Sequence, residues 1–352
     1  MRTRTGILTA VAAGAGYFAL QQLRRRPLLD LRGKVVLITG GSRGLGLAMA
    51  REFGSRGAIV AICARDDDEL HRAQNDLIAR GVRLHTFVCD VSDRQQVESM
   101  VQELAEQLGP VDVLVNNAGI INVGPFSEMD LEEFGHAMKV MFWAPLYTTL
   151  AVLPSMRARN RGSIVNITSI GAKVSVPHLL PYSCAKFAAL ALSEGLHTEL
   201  APDGIRVTTI VPGLLRTGSH LNAEFKGKQA HEYTWFATAA ATPLISIGAA
   251  RAARSIVCAT IRGDSEKILS IPADAAARFH GLFPGLTSEL LSLVNRMLPT
   301  GTQLSGDARP GHHVEAGLNS RMWKLITVLG RNAAKSLNEL PGYRKPATAD
   351  RI

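Results

Sequence analysis

Residues 34–46 read KVVLITGGSRGLG, an aliphatic run that changes into a glycine-rich turn. A continuous β-branched and aliphatic run bounded by turn residues is typical of a strand buried in a parallel sheet. Glycines let the backbone turn tightly, and a helix that begins near Leu45 would offer unpaired N–H groups to an anion. The stretch therefore predicts a diphosphate-binding turn. Its spacing, Thr-Gly-x-x-x-Gly-x-Gly, differs from the commoner G-x-G-x-x-G, so the rest of the chain has to decide the case.

The net charge of +9 is concentrated at the two ends of the 352-residue chain. Residues 1–34 carry seven basic and one acidic side chain, residues 301–352 carry eight and four, and the middle is close to neutral. This distribution favours contact of the termini with an anionic membrane surface, and nucleic acid is not expected as a partner. A hydrophobic content of 46% is ample for a globular core.

Cysteine spacing gives no sign of a metal site. The four cysteines lack C-x-x-C or Cys/His ligand spacing and lie at Cys63, Cys89, Cys184 and Cys258. We expect them to be reduced, buried thiols in a cytoplasmic domain. The adjacent His312 and His313 lie in a polar tail, where we expect solvated side chains.

An uncharged, Ala/Gly-rich segment occupies residues 6–20 and is followed by three arginines at residues 24–26. Three interpretations compete: a cleaved secretory segment, a membrane anchor, or a helix that packs on the rest of the protein. The arginines argue against export, because basic residues after such a segment hold that side in the cytoplasm. We therefore expect residues 1–30 to enter the membrane surface or bilayer, with the catalytic domain in the cytoplasm.

Predicted strands and helices alternate along the chain from Leu31. This alternation indicates βαβ crossovers and an α/β fold with a doubly wound parallel sheet, the Rossmann fold, in a single catalytic domain. Ligands bind such sheets at the carboxyl ends of the strands. Besides the first strand, the predicted strands cover residues 58–64, 83–89, 111–115, 163–167, 205–211 and 267–271.

Several short motifs occur together in one order. They are Thr39-Gly40-x-x-x-Gly44-x-Gly46, Asp90, Asn116-Asn117-Ala118-Gly119, Ser169, Tyr182-x-x-x-Lys186, and Pro212-Gly213 followed by Thr217. Each motif is weak alone, but together they closely resemble the classical short-chain dehydrogenase/reductase family over about residues 31–272.

The resemblance implies an oxidoreductase that binds NAD(P) and works as a homodimer or homotetramer. It implies that Ser169, Tyr182 and Lys186 are the catalytic residues. It also implies a set of cofactor-binding residues: Thr39, Gly40, Ser42, Arg43, Gly44, Leu45, Gly46, Arg65, Asp90, Val91, Asn117, Ala118, Gly119, Tyr182, Lys186, Pro212, Gly213 and Thr217.

The end of the second strand indicates the choice of cofactor. NAD enzymes usually place an acidic residue there for the ribose hydroxyls, whereas a basic residue accommodates a 2′-phosphate. Here Ala64 occupies the place of the acid and Arg65 follows it. Arg43 and Arg65 match the basic positions of the family, so NADP(H) is expected to be preferred over NAD(H).

Carbonyl reduction needs a hydride on carbon and a proton on oxygen, from a donor that works near neutral pH. Tyr182 and Lys186 are four residues apart on a predicted helix and therefore share a face. We expect the Lys186 ammonium and an oxidised nicotinamide to lower the pKa of Tyr182 from its usual value of about 10. Ser169 would donate a hydrogen bond to the substrate oxygen as negative charge develops.

Met141 departs from the family pattern, in which an Asn helps to hold a water in the proton relay. Met neither donates nor accepts strong hydrogen bonds. Backbone and water could complete the relay, turnover could be slow, or the protein could bind NADP(H) as a sensor or scaffold without turnover. An epimerase or dehydratase is a further alternative, but the glycine spacing and the short lid region argue against it.

The region after Thr217 contains an aromatic group, which we interpret as a lid over an apolar carbonyl or alcohol substrate. Its members are Phe225, Tyr233, Trp235 and Phe236.

Helices over residues 131–159 and 248–261 are also predicted. Beyond the catalytic domain, residues 273–300 are predicted to be a helical extension. Residues 301–352 are predicted to be a linker and a basic amphipathic tail, with a helix over residues 320–340 that meets the membrane or a partner subunit.

Overall fold

Short aliphatic runs form the strands of a parallel sheet in the computed structural model, which describes residues 27–243, 245–301, 307–318 and 327–340. The strands are β1 (Val35–Thr39), β2 (Ile59–Ala64), β3 (Arg83–Val88), β4 (Val113–Asn116), β5 (Asn122–Val123), β6 (Gly162–Ile167), β7 (Ile205–Pro212), β8 (Leu214–Arg216), β9 (Glu224–Phe225), β10 (Ser246–Gly248), β11 (Glu266–Leu269) and β12 (Arg309–Pro310).

Seven of these strands pair in the order β11-β7-β6-β4-β1-β2-β3, and every pair in this sheet is parallel. The order runs outward from β1 in both directions, which confirms the predicted doubly wound sheet. The helices are α1 (Gly44–Ser55), α2 (Asp67–Ala79), α3 (Arg94–Leu108), α4 (Leu131–Met138), α5 (Ala144–Ala158), α6 (Leu180–Glu199), α7 (Gln229–Ala241), α8 (Ala249–Arg262), α9 (Ile271–Leu282), α10 (Pro284–Asn295), α11 (Gly311–Ala316) and α12 (Val328–Ser336).

The core lies in two layers, one on each face of the sheet. Alternate side chains of β1 enter different layers, because successive residues of a strand point to opposite faces. Val36 and Ile38 pack in the cluster that contains α1 and α8, whereas Val35 and Leu37 pack in the cluster that contains α3 and α5. The arrangement buries β1 on both faces, as its uninterrupted aliphatic sequence predicts.

The predicted helix over residues 131–159 is divided in the structure. A π-helical segment, Lys139–Trp143, separates α4 from α5. Pro145 has no N–H to donate to the carbonyl of Met141 four residues earlier, so the regular α-helical pattern cannot continue through this point. The division places Met141 inside the π-helical segment.

The C-terminal part differs from the predicted linker and tail. Within residues 307–318, β12 pairs with β9, and His312 Nδ1 lies 3.1 Å from the carbonyl oxygen of Leu221. His312 is thus bonded to the protein, contrary to the expectation of a solvated side chain. Of the predicted 320–340 helix, the described portion contains α12, and its Ala334 is fully buried. This portion packs on the domain that contains the parallel sheet.

Two further expectations concern the cysteines and the membrane. Cys63 and Cys89 are buried thiols as predicted, but Cys184 is exposed, because it faces outward on α6, and Cys258 is only partly buried.

Among the described residues, no helix has both the length and the apolar character needed to cross a bilayer. The segment predicted to be an anchor lies, up to residue 26, outside the described residues.

Candidate active site

The glycine-rich turn after β1 has a backbone path that larger residues would obstruct. Gly40 and Gly44 have φ angles of 60° and 57°, in the left-handed region that favours glycine. A Cβ on Gly46 would collide with the carbonyl oxygen of Gly40. The turn therefore requires glycine at these positions and brings its backbone close to whatever lies over the start of α1.

Asn117, at the end of β4, holds this turn in place. Its side-chain Nδ2 donates to the carbonyl oxygens of Thr39 and Gly40, both at 3.0 Å. The Oγ1 of Thr39 accepts from the backbone N–H groups of Asn117 and Ala118 at 3.0 and 3.1 Å. The two predicted motifs, far apart in sequence, are therefore connected at the carboxyl ends of β1 and β4.

A cavity of about 430 Å³ lies at these strand ends. Half of the predicted cofactor-binding set lines it, namely Gly40, Ser42, Arg43, Arg65, Asp90, Val91, Asn117, Ala118 and Gly119. The other nine predicted residues are not part of its lining. Thr217 is one of these: it is buried, and its Cβ lies 4.0 Å from the position that a Cβ would take on Gly44.

Acidic side chains accompany both arginines of the cavity. Arg43 forms an ion pair of 2.9 Å with Glu69 at the start of α2, and the hydroxyl of Ser42 donates to the same carboxylate at 2.9 Å. Arg65 lies 4.0 Å from Asp90, and 59% of its side chain is exposed. Arg65 is consequently the more accessible of the two cations.

Tyr182 and Lys186 lie on α6, one turn apart, and Ser169 follows β6. The Lys186 ammonium is buried, donates to the carbonyl oxygen of Ile167 at 2.8 Å, and lies 5.8 Å from the centre of the Tyr182 ring. Burial lowers the pKa of Lys186 to about 8. The three side chains of the predicted catalytic set therefore come together beside the end of β6.

The electrostatics of Tyr182 differ from the expectation. Burial raises the pKa of Tyr182, and a hydrogen bond with Ser169 acts in the opposite direction. The sequence predicted a lowered pKa in the presence of both the neighbouring ammonium and an oxidised nicotinamide. The buried ammonium of Lys186 is engaged by the Ile167 carbonyl, and in this structure the loss of water around the phenol has the larger effect.

Met141 lies next to this group. From the position that a Cβ would take on Gly119, the Met141 Sδ is 3.7 Å away and the Lys186 Nζ is 3.8 Å away. Met141 is almost completely buried. The thioether and the ammonium thus both lie beside Gly119, and the resemblance to the family places an amide at the position of Met141.

The aromatic group predicted to be a lid is packed largely against itself. The Phe225 ring contacts the rings of Tyr233 and Phe236 edge to face, with centroids 5.3 and 6.0 Å apart, and all three are buried. Trp235 and Tyr182 pack at the edge of this cluster. The cluster therefore forms one wall beside Tyr182.

Sequence reasoning missed several polar residues near the site. Buried Glu232 on α7 lies 2.8 Å from His178 Nδ1 and accepts a hydrogen bond from Trp235 Nε1 at 2.7 Å. Asn222 and Glu339 reach the cavity from the region after β8 and from the end of the described chain. None of these residues belongs to a motif, and Glu339 lies about 300 positions from the glycine turn, so no local signal marked them.

Comparison with known proteins supports the same interpretation of the fold. A family model described as short chain dehydrogenase matches residues 34–226. The dehydrogenase/reductase SDR family protein 7-like of Anopheles gambiae is 40% identical over 204 residues, a match that covers 56% of this chain and 64% of that relative.

Two solved structures extend the comparison. A short-chain dehydrogenase from Streptomyces avermitilis has a TM-score of 0.64 and 31% identity, covering 75% of this chain and 97% of that one. The L-sorbose reductase of Gluconobacter frateurii, complexed with NADPH and L-sorbose, has a TM-score of 0.61 and 28% identity, covering 69% and 97%. Because the family model spans more than half of the chain and the fold agrees, this protein belongs to the short-chain dehydrogenase family of oxidoreductases.

Proposed function

We propose that the protein transfers a hydride between NADP(H) and the carbonyl or alcohol carbon of an apolar substrate, with Tyr182 as general acid and base. The observation that carries this proposal is the convergence of Ser169, Tyr182 and Lys186 at the end of β6. They lie beside a cavity whose floor is the glycine turn. A proton donor next to a dinucleotide-sized cavity is what carbonyl reduction requires.

The residues of the cavity suit a dinucleotide. The turn packs closely on the start of α1 because Gly46 lacks a Cβ, and a helix N-terminus favours a diphosphate. Arg65 is accessible for a 2′-phosphate, with Ala64 rather than an acid before it. The NADPH complex of the L-sorbose reductase, a structural relative, supports the same cofactor. The nicotinamide would supply or accept the hydride.

The chain's own residues would handle the proton. The Tyr182 hydroxyl would donate a proton to the substrate oxygen in reduction and accept one in oxidation. Ser169 would donate a hydrogen bond to the same oxygen and stabilise developing negative charge. Lys186 would orient the tyrosine and, with a pKa near 8, exchange a proton with it close to neutral pH.

The apolar wall beside Tyr182, formed by the edge of the cluster around Phe225, supports an apolar substrate. Three exposed apolar side chains support a homodimer or homotetramer: Trp143 at the end of the π-helical segment, Leu150 on α5 and Phe187 on α6. Membrane association of a cytoplasmic catalytic domain remains part of the proposal. It is supported by the sequence of residues 1–26 and the basic termini.

The experiment is a panel of carbonyl compounds and alcohols, assayed with NADPH and NADH on the purified protein. We expect carbonyl-dependent oxidation of NADPH with at least one apolar member of the panel. The buried Met141 thioether favours one alternative, a dinucleotide sensor without turnover. Binding of NADPH without oxidation across the whole panel would support that alternative and contradict the proposal.

A further inference from the structure

A C-terminal strap, residues 336–340, lies across the glycine-rich turn. The backbone N–H of Gly44, at the start of α1, donates to the carbonyl oxygen of Leu337 at 2.9 Å. Asn338 Nδ2 donates to the carbonyl oxygens of Ser42 and Glu69 at 2.9 and 3.0 Å. The strap therefore uses the same backbone N–H that a diphosphate-binding turn presents to its ligand.

Further contacts show that the strap is a specific, well-packed element. Arg72 on α2 donates to Asn338 Oδ1 at 2.8 Å, and Arg51 on α1 donates to the carbonyl oxygen of Ser336 at 2.7 Å. Asn338 has a φ of 57°, a conformation that Asn tolerates better than most residues. Leu337 is buried in the core cluster that contains α1. Side chains of both α1 and α2 therefore hold the strap in place.

The carboxylate of Glu339 lies over the turn itself. It is buried, and a Cβ on Gly44 would collide with its Oε1. Asn222 Nδ2 donates to its Oε2 at 2.7 Å, and Arg43 Nε lies 3.8 Å from the same atom. Glu339 also lines the cavity that we assign to the cofactor. An anionic group of this chain thus lies where the turn is built to receive an anion.

A diphosphate and a carboxylate repel each other, and the repulsion is stronger in a partly buried site than in water. We propose that the strap is an autoinhibitory element: Glu339 occupies the anion site of the glycine turn, and the cofactor binds when the strap is displaced. This inference rests on the proposed function, since it takes the diphosphate of NADP(H) as the competing anion. It gives the C-terminal region a role in controlling access to the active site.

The surroundings of Glu339 make this competition dependent on pH. Burial raises the pKa of Glu339 to about 7, Arg43 and the Asn222 hydrogen bond act in the opposite direction, and Glu69 reinforces the rise. Arg72 is the other charged side chain that contacts the strap from α2. Below about pH 7 Glu339 becomes a neutral acid, so its repulsion of a diphosphate disappears. Cofactor affinity should therefore increase as the pH falls from about 8 to about 6.

The test uses the full chain and measures the dissociation constant of NADPH by fluorescence titration. Glu339→Gln removes the charge and keeps the size and the acceptor for Asn222, so we expect binding about tenfold tighter or more near pH 8. Glu339→Asp keeps the charge and serves as the matched control, with affinity close to that of the wild type. The pH dependence is compared between the wild type and Glu339→Gln, because the 2′-phosphate of the cofactor titrates near pH 6 itself.

Hydrogen exchange distinguishes a strap that is displaced by the cofactor from a strap that stays in place and lines the cofactor cavity. The backbone N–H groups of Leu337 and Glu339 donate to the carbonyl oxygens of Ala333 and Ala334, both at 2.9 Å. Saturating NADPH should make these two amides exchange faster if the strap leaves. Slower exchange of these amides, or equal affinities of the wild type and Glu339→Gln, would overturn the strap proposal while leaving NADPH binding intact. A failure of every variant to bind NADPH would instead contradict the proposed function as well.

Discussion

Arg43 and Arg65 border the same cavity, and Arg65 is the more accessible of the two. Arg43 is paired with Glu69 at 2.9 Å and lies 3.8 Å from Glu339, so two carboxylates share its charge. The ion pair of Arg65 with Asp90 is longer, at 4.0 Å, and the Arg65 side chain is 59% exposed. At the residue scale, preference for a 2′-phosphate should therefore depend mainly on Arg65.

Changing Arg65→Asp should narrow or invert the preference for NADPH over NADH. A charge-assisted hydrogen bond to phosphate contributes about 1.5–3 kcal/mol, so the wild type should bind NADPH at least about tenfold more tightly than NADH. The two dissociation constants are measured at low salt. Arg83→Asp is the matched control. This exposed arginine lies at the amino end of β3, whereas Arg65 lies at the carboxyl end of the neighbouring strand β2. Equal affinities of the wild type for both dinucleotides would contradict the assignment.

At the scale of single elements, the strands were the most predictable part of the fold. The predicted limits of the sheet strands agree with the observed ones to within two residues at each end. A strand of a parallel sheet is buried on both faces, so all of its residues tend to be apolar. A continuous aliphatic run in the sequence therefore marks such a strand directly. The order of the motifs also located the cavity, since polar residues after parallel strands gather at one edge.

The elements that were not predicted depend on contacts that no local pattern records. Pro145 was visible in the sequence, but the helical periodicity around it hid the division between α4 and α5. The positions of His178 and Glu232 depend on packing between α7 and the loop before α6. The strap contacts the glycine turn although the two are almost 300 residues apart in the sequence. The raised pKa of Tyr182 likewise reflects burial, which the four-residue spacing to Lys186 does not encode.

The π-helical segment leads to a prediction for Met141. Replacing Met141→Asn introduces an amide next to Lys186, and an amide can donate and accept hydrogen bonds where the thioether cannot. We expect turnover with NADPH to stay unchanged or to increase. Thermal unfolding of the variant is measured in parallel, because burying a polar group at this position could lower stability by itself. A large loss of turnover in a stably folded variant would show that the site depends on the thioether.

At the scale of the whole molecule, the described residues near both ends of the chain contact the domain that contains the parallel sheet. The described C-terminal residues pack on the cluster around Phe225 and on the glycine turn, with Arg331 paired to Glu315 at 2.7 Å. At the other end, Leu29 N–H donates to the Ile261 carbonyl at 2.9 Å, and Arg206 donates to the Pro27 carbonyl at 2.7 Å. Residues from Pro27 onward therefore contact the domain that contains the parallel sheet.

These contacts define a truncation that tests membrane association. The full-length protein should sediment with membranes and resist extraction by high salt, because burial of apolar residues 6–20 is not screened as charge attraction is. Deletion of residues 1–26 should release a soluble, folded enzyme that keeps the contacts of Pro27 and Leu29. Circular dichroism and activity of the released protein provide the control. Full-length protein found in the soluble fraction, or a truncated protein that unfolds, would contradict the anchor.

The central claim is that Tyr182 provides the proton while hydride passes between the nicotinamide and the substrate carbon. Its most direct test uses NADPH with deuterium in place of both hydrogens on C4 of the nicotinamide ring and an apolar carbonyl compound from the panel, with mass spectrometry of the alcohol formed. The wild type should place one deuterium on the carbinol carbon. Tyr182→Phe keeps the ring and should still bind NADPH, but should form the labelled alcohol at least about a hundredfold more slowly. Labelled alcohol formed by Tyr182→Phe at the wild-type rate, or alcohol without deuterium, would contradict the account.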